Sequence, residues 1–242
     1  ACHGGPVGAL LTHLGESLAG GESMWTSRVA VELPRPVPLT PLGVTAAVVR
    51  AGRSTRTCVV SLSSEGREVA AARLTQILAV DDVGLPPIDG LEGDRSPLPR
   101  FTGEATGLGL WDTGAVAFHS HGSEHGVLDP EPEALGPSRR WIRVPVDLLP
   151  GVGLSPAARA VAAADFSNGV SRVLENPGWL FINPDLTVHL LRPPSGEWIG
   201  LDAVSFVDPA GVGMSDATLF DASGRVGRAN QSLLVRPRGP RP

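Results

Sequence analysis

Asp165 stands inside AVAAADFSNGV (residues 160–170), an otherwise apolar stretch with helical spacing. A carboxylate there is costly to bury unless it is paired or faces a cleft. The chemistry it offers is general-base catalysis on a bound water. Were that water to attack a carbonyl, donors would be needed for the oxyanion that forms. The backbone N–H groups of Asn168 and Gly169 supply them if the helix breaks at that point. The competing use of Asp165 is structural, as a bend or cap bonded to local backbone amides. Gln231, in RANQSLLV (228–235), is a neutral amide interrupting a strand that then turns apolar. It orients water without adding charge, or it is an exposed edge residue.

Other reactive side chains make weaker arguments. Cys2 precedes a helix start, where the dipole would favour a thiolate, but no base is evident beside it, and packing of Gly4 and Gly5 against a neighbouring strand is the simpler reading. His119-Ser-His121, followed by His125, Glu124 and Asp129, begins a metal-ligand pattern that no distant Cys/His pair completes. His189 alternates with Val188 and Leu190 and reads as a sheet histidine. There is no GxSxG, and GLGLWD (107–112) and GVGMSD (211–216) lack the third glycine of a dinucleotide fingerprint. Tyrosine is absent, so no phenol serves as acid or base.

The elements that must position these residues repeat. AVELPRPV (30–37) lies over TVHLLRPP (187–194) and SSEGR (63–67) over DASGR (221–225), at an offset of 157 to 158 residues. In the first copy, apolar residues at Val7, Leu10, Leu11, Leu14 and Leu18 predict an amphipathic helix over 6–18. Alternating β-branched runs at 26–33, 44–49, 57–62 and 69–78 predict a four-stranded antiparallel meander. In the second copy, Ser155-Pro156 opens a helix running to about residue 175, ahead of the same strands. Residues 81–100 are dense in Gly and Pro and read as a connector. Strands are expected at 107–120 and 141–149, flanking an acidic loop at 122–138, and the tail VRPRGPRP (235–242) is expected to fray.

The 242 residues carry a net charge of −5 with a hydrophobic fraction of 42%. That composition supports a globular core and gives no basic footprint for nucleic acid. No apolar run approaches the ~20 residues of a membrane span. Two cysteines without CxxC spacing favour a reducing compartment, hence a cytoplasmic location.

A long helix wrapped by an antiparallel sheet, duplicated in one chain, resembles the double hotdog of the acyl-CoA thioesterase II family. The resemblance rests on HGGPVGALL (3–11), AADFSNGVSRVL (163–174), INPDLTVHLLRPPSGEWIGLD (182–202) and LFDASGRVGRANQSLLV (219–235). It implies an α+β double hotdog with an N-terminal hotdog at 1–80, a linker at 81–104 and a C-terminal hotdog at 105–242. It also implies a strand ahead of each helix, for which the first copy has only Ala1-Cys2. The activity implied is hydrolysis of an acyl-CoA by an activated water, held by an Asp on the helix, a Thr or Ser at the start of the next strand and a Gln on the last strand. Those positions fall on Asp165, Asn183 and Gln231. Asn183 is a departure, since an amide bonds a water or carbonyl but cannot relay a proton as a hydroxyl does. The first copy has Cys2 near the Asp165 position and Arg73 near the Gln231 position, so one active site per chain is expected.

The resemblance therefore predicts a thioester hydrolase with catalytic Asp165, Gln231 and Asn183, oxyanion or substrate contacts at Asn168 and Gly169, and neither metal nor cofactor. Its partner is acyl-CoA, with no nucleic acid and no membrane. Free sheet edges predict a homo-oligomer, a dimer of double hotdogs. The alternative function is an acyl-CoA or acyl-carrier binding protein that hydrolyses weakly or not at all. A hotdog dehydratase would need a histidine base, and the second helix carries none.

Overall fold

Apolar residues at three- and four-residue spacings wind Gly4–Ser17 into helix α1, with Pro6 in its first turn, where the missing N–H leaves nothing unsatisfied. His3 is the N-cap. The computed structural model describes residues 1–18, 24–80, 82–84, 86, 98–101, 104–105, 116–129, 134–175 and 178–239. Four strands follow α1: β1 (Met24–Glu32), β2 (Gly43–Ala51), β3 (Thr55–Ser64) and β4 (Arg67–Leu78). Glu65 and Gly66 both have positive φ, the geometry of a tight two-residue hairpin between β3 and β4.

The four strands do not form a simple meander. β2, β3 and β4 are hairpin neighbours, but β1 pairs with β4, Val29 opposite Leu74, and not with β2. Prolines at 34, 36, 38 and 41 explain the difference. They cannot continue a sheet ladder, and the chain crosses to the far edge before β2 begins.

The second copy repeats this plan. Ser155 caps α2 (Pro156–Ala164), and α3 (Ser167–Val170) is a single further turn. The strands after it are β7 (Trp179–Ile182), β8 (Asp185–Leu190), β9 (Trp198–Val207), β10 (Val212–Asp221) and β11 (Gly224–Pro237). β8 pairs with β11 as β1 pairs with β4. β1 and β8 then meet antiparallel, Val29 opposite Val188, and fuse the copies into one 11-stranded sheet. Its order is β2-β3-β4-β1-β8-β11-β10-β9-β6-β5, with β7 alongside β11 and with β5 (Glu124–Val127) and β6 (Ser138–Arg143) extending the second end. From β2 to β9 the order reads the same from either end, so the sequence repeat is a pseudo-twofold about the β1–β8 seam.

Both long helices lie on one face of this sheet and pack directly on each other. They run antiparallel, because Gly4 abuts Asp165 whereas Gly8 abuts Val161. A Cβ on Gly5 would fall 2.8 Å from the Ala162 carbonyl oxygen, so only glycine permits this approach. Ala9, Ala158 and Ala162 continue the seam, and Leu11, Leu62, Leu74, Leu186, Leu201 and Leu219 fill the layer between helices and sheet.

Several expectations are corrected. The second helix ends at Ala164 rather than near 175, because Ser167 Oγ donates to the Ala164 carbonyl at 2.6 Å and the Asp165 side chain is drawn elsewhere. Residues 118–122 form a π-helical turn and not a strand, and residues 107–115 lie outside the described segments. The strand expected at 141–149 begins earlier and stops at Arg143, two residues before Pro145, which cannot donate to a ladder. The expected acidic loop contains β5. Most of the connector lies outside the described residues, but its end packs: Leu98 is buried with Trp141 and Phe220, and Trp141 Nε1 donates to the Pro99 carbonyl.

Candidate active site

The antiparallel helix pair sets the C-terminal end of α2 against the first turn of α1. Asp165 is the C-cap of α2 and only 6% exposed. Four donors converge on its side chain. Asn183 Nδ2, from the bend between β7 and β8, donates to Oδ1 at 2.8 Å. Gln231 Nε2, from β11, reaches Oδ1 and the backbone carbonyl of Asp165, each at 3.4 Å. His3 Nδ1 lies 2.8 Å from Oδ2. The Gly5 N–H completes the set. A Cβ on Gly4 would lie 2.7 Å from Oδ1, so the glycines after His3 clear the space for the carboxylate.

These contacts fix the proton positions. The Gly5 nitrogen is 3.2 Å from His3 Nδ1 as well as bonded to the carboxylate. A ring nitrogen holds either a proton or a lone pair. The shorter contact, to an anionic oxygen, requires Nδ1 to donate, so the Gly5 N–H serves the carboxylate and Nε2 is the ring nitrogen left to exchange a proton. Asn168 N–H donates to Gln231 Oε1 at 3.2 Å, which turns the Gln231 NH2 toward Asp165. Burial pushes the Asp165 carboxyl upward, but the His3 imidazole and the hydrogen bonds from His3, Asn183 and Gly5 outweigh it and hold the group below its ordinary value. The positive end of the α1 dipole acts in the same direction.

A carboxylate offers about four acceptor positions, and the four donors named above occupy them. Asn183 retains a second N–H, since an NH2 group carries two, whereas the Gln231 NH2 is turned to Asp165 Oδ1 and to the Asp165 carbonyl. Nε2 of His3 takes no hydrogen bond among the described residues. Its ring packs between Phe166, with centroids 4.9 Å apart, and Phe118, at 5.3 Å, with His119 at 6.3 Å. His125 lies behind Phe166, 99% buried. Burial first, then Arg140, His119 and His3, lower it to about 3, so it is neutral. The centre therefore presents a buried anion, an imidazole whose Nε2 is not engaged among the described residues and an amide donor: parts that can move a proton from a water and stabilise an oxyanion.

Asp165, Asn183 and Gln231 come together although they are far apart in sequence. Asn168 meets them through its N–H, already engaged by Gln231, and Gly169 is buried one residue on in α3. His3 is the residue that sequence reasoning missed. A histidine was sought on the second helix, whereas this one arrives from the N-cap of the first; its position directly before Gly4-Gly5-Pro6 was the available signal. The comparison with Arg73 is also corrected: Arg73 is exposed on the outer face, whereas Leu74 is fully buried toward α1.

The rival groups are occupied elsewhere. Glu124 pairs with Arg143, Asp129 accepts from Ser138 and Arg139, and Ser123 Oγ bonds His125 Nε2. Among the described residues no group of three His, Cys, Asp or Glu is arranged for a metal ion. Cys2 Sγ faces the Pro38 carbonyl, and His189 is exposed.

Sequence and structure comparisons identify relatives of the chain. Residues 91–235 match the profile described as the acyl-CoA thioesterase C-terminal domain, and residues 1–77 match that of the acyl-CoA thioesterase N-terminal domain. The chain is similar in structure to the acyl-CoA thioesterase II TesB2 of Mycobacterium marinum, at a TM-score of 0.71 and 15% identity over 99% of this chain and 92% of that one. The tesB protein of Mycobacterium avium subs paratuberculosis superposes at 0.68, with 15% identity over 97% and 87%. A hot dog fold protein of Alicyclobacillus acidocaldarius superposes at 0.67, with 16% identity over 98% and 88%. No curated protein matches the chain.

Proposed function

Because this chain belongs to the acyl-CoA thioesterase family and is a thioester hydrolase of it, we propose that it cleaves acyl-CoA to free acid and CoA with a water held at the Asp165 centre. The observation supporting this most strongly is the convergence of His3, Asn183 and Gln231 on one buried carboxylate. The second N–H of Asn183 holds the thioester carbonyl, and Gln231 positions Asp165. With the acceptor positions of Asp165 filled, the water's proton passes to His3 Nε2 as its oxygen bonds the carbonyl carbon. Asp165 activates the water through the ring, orienting it and stabilising the imidazolium that forms. Collapse of the tetrahedral oxyanion breaks the C–S bond, and the departing thiolate recovers the proton from His3. The Asn168 N–H orients the Gln231 amide, one residue before Gly169 at the same helix break.

The same geometry disfavours dehydration, which needs a base and a separate acid: among the described residues the acid beside His3 would be Asp165, held ionised and bonded to that ring. The reading of a non-catalytic acyl-CoA binder rests on the amide of Asn183, where a hydroxyl would relay protons. CoA release from a panel of acyl-CoA substrates decides between them. Turnover supports hydrolysis, and tight binding with no turnover of any acyl-CoA refutes it.

Catalysis by this centre needs no metal or cofactor in the proposal, and a cytoplasmic setting accords with two free cysteines and with no described helix long and apolar enough to cross a membrane. The natural partner along the sheet is a second copy. β2 is an edge strand whose residues are nearly all exposed, with Val44, Val48 and Val49 between 39% and 52%. Such an edge is a template for pairing. Light scattering is expected to return twice the mass of the 25.1 kDa chain or more; a monomeric mass refutes it.

A further inference from the structure

The pseudo-twofold that superposes the two sheet halves also superposes the two ends of the helix pair, and the second end is not empty. At the first end, the N-cap of α1, His3, donates to a carboxylate at the C-terminal end of α2. At the other, the N-cap of α2, Ser155, donates through Oγ at 2.5 Å to Glu16 Oε2, a carboxylate in the last turn of α1. Asn183, just before β8, donates to Asp165; Thr26, at the start of β1, donates through Oγ1 to Glu16 Oε1 at 2.7 Å. Gln231 completes the first centre from β11, the last strand of its copy. Gln76 stands on β4, the last strand of the other copy, directly opposite Thr26 in register. Thr26 is 7% exposed and Gln76 2%, both on the face toward α1.

We propose that Glu16, Thr26 and Gln76 form a second acyl-thioester centre, built by the first repeat and backed by Ser155. The proposal rests on the acyl-CoA reading of the Asp165 centre and extends it to the opposite end of the helix pair. A glutamine buried directly opposite Thr26, whose hydroxyl bonds Glu16, serves no packing purpose that Leu74, two residues away on the same face, does not serve better. Cys58 offers Gln76 Oε1 only a weak thiol contact at 3.8 Å.

The two centres differ in how they take a proton. Glu16 accepts two side-chain hydrogen bonds, one per oxygen, leaving about two acceptor positions against none for Asp165. Here the water's proton goes to Glu16 itself. The water oxygen bonds the thioester carbonyl carbon, the C–S bond breaks, and the thiolate takes the proton from Glu16, giving acid and thiol. Thr26, a hydroxyl where the first centre has Asn183, holds the water. No imidazole bonds Glu16 among the described residues, so this is the slower centre, and it supplies the rate left when Asp165 is removed.

Calorimetric titration of the whole chain tests the proposal, using a thioether analogue of whichever acyl-CoA the wild type cleaves. Two molecules are expected to bind per chain, falling to one in Glu16→Gln and in Gln76→Leu. The residual hydrolysis of Asp165→Asn is expected to fall a further tenfold or more when either substitution is added, with the melting curve of each variant showing that it is folded. One molecule bound to the wild type, or a residual rate indifferent to both substitutions, overturns the second centre and leaves the first intact. No binding and no turnover by the wild type overturns the acyl-CoA reading, and this proposal with it.

Discussion

His3→Ala is expected to slow acyl-CoA hydrolysis by ~10^2–10^4-fold, the range for loss of a positioned general base. Asp165→Asn belongs in the same range, because an amide facing Nδ1 no longer fixes the tautomer or stabilises the imidazolium. Since the two side chains act as one unit, the double variant is expected to be no slower than the worse single variant. Additive losses in kcat/KM would mean that His3 and Asp165 work separately, with the ring only capping α1. Melting curves guard against a trivial explanation, since His3→Ala removes one of the four donors to the buried Asp165 carboxylate.

The largest effect on stability is expected at the other repeated arginine. Arg192 lies at the end of β8, as Arg35 follows β1, but the two do different work. Arg35 Nη1 donates to the Glu68 carbonyl near the surface. Arg192 makes a two-pronged contact with Asp221, at 2.5 and 2.6 Å, and Asp221 is wholly buried. Ser195 N–H and Oγ and Ser223 N–H donate to the same carboxylate, each at 2.8 Å. Arg192→Ala leaves that charge buried without its counter-ion and is expected to cost about 3–5 kcal/mol, read from chemical denaturation. A loss below about 1 kcal/mol would show that the three remaining donors suffice.

The same group sets a pH dependence. Burial pushes the Asp221 carboxyl up, but the bonds from Arg192, Ser195 and Ser223 hold it well below the ordinary carboxylate range in the folded chain. In the unfolded chain it titrates near ~3.9. Its contribution to stability is therefore complete above about pH 5 and is lost as pH falls below ~4 toward the folded value, because the unfolded state then binds the proton first. Wild type should lose stability over that interval more steeply than Arg192→Ala, whose Asp221 has given up its principal partner.

Features set by local chemistry were legible in the sequence. Alternation marked β1 to β4 to within a few residues, the Glu65-Gly66 turn was visible as SSEGR, and the duplication emerged from Arg35 over Arg192. Asp165 and Gln231 stood out because polar groups in apolar runs need a reason. What depended on tertiary meeting points was not legible. The end of α2 at Ala164 follows from Asp165 being drawn to His3 and Asn183, partners 162 and 18 residues away. His3 gains its role only because α1 and α2 run antiparallel, which a one-dimensional repeat does not reveal. Alignment by offset set Arg73 against Gln231, whereas a bulge after Thr26 in β1 and the alternation of faces turn Arg73 outward. Glu16, in a polar helix end, carried no signal apart from its distant partner Ser155.

The central claim is that the Asp165 centre hydrolyses acyl-CoA. Its most direct test is CoA release from a panel of acyl-CoA substrates by purified wild type and Asp165→Asn, side by side. Release by wild type, slowed at least a hundredfold in the variant on every substrate cleaved, is the predicted result; equal rates on every acyl-CoA tried would contradict it.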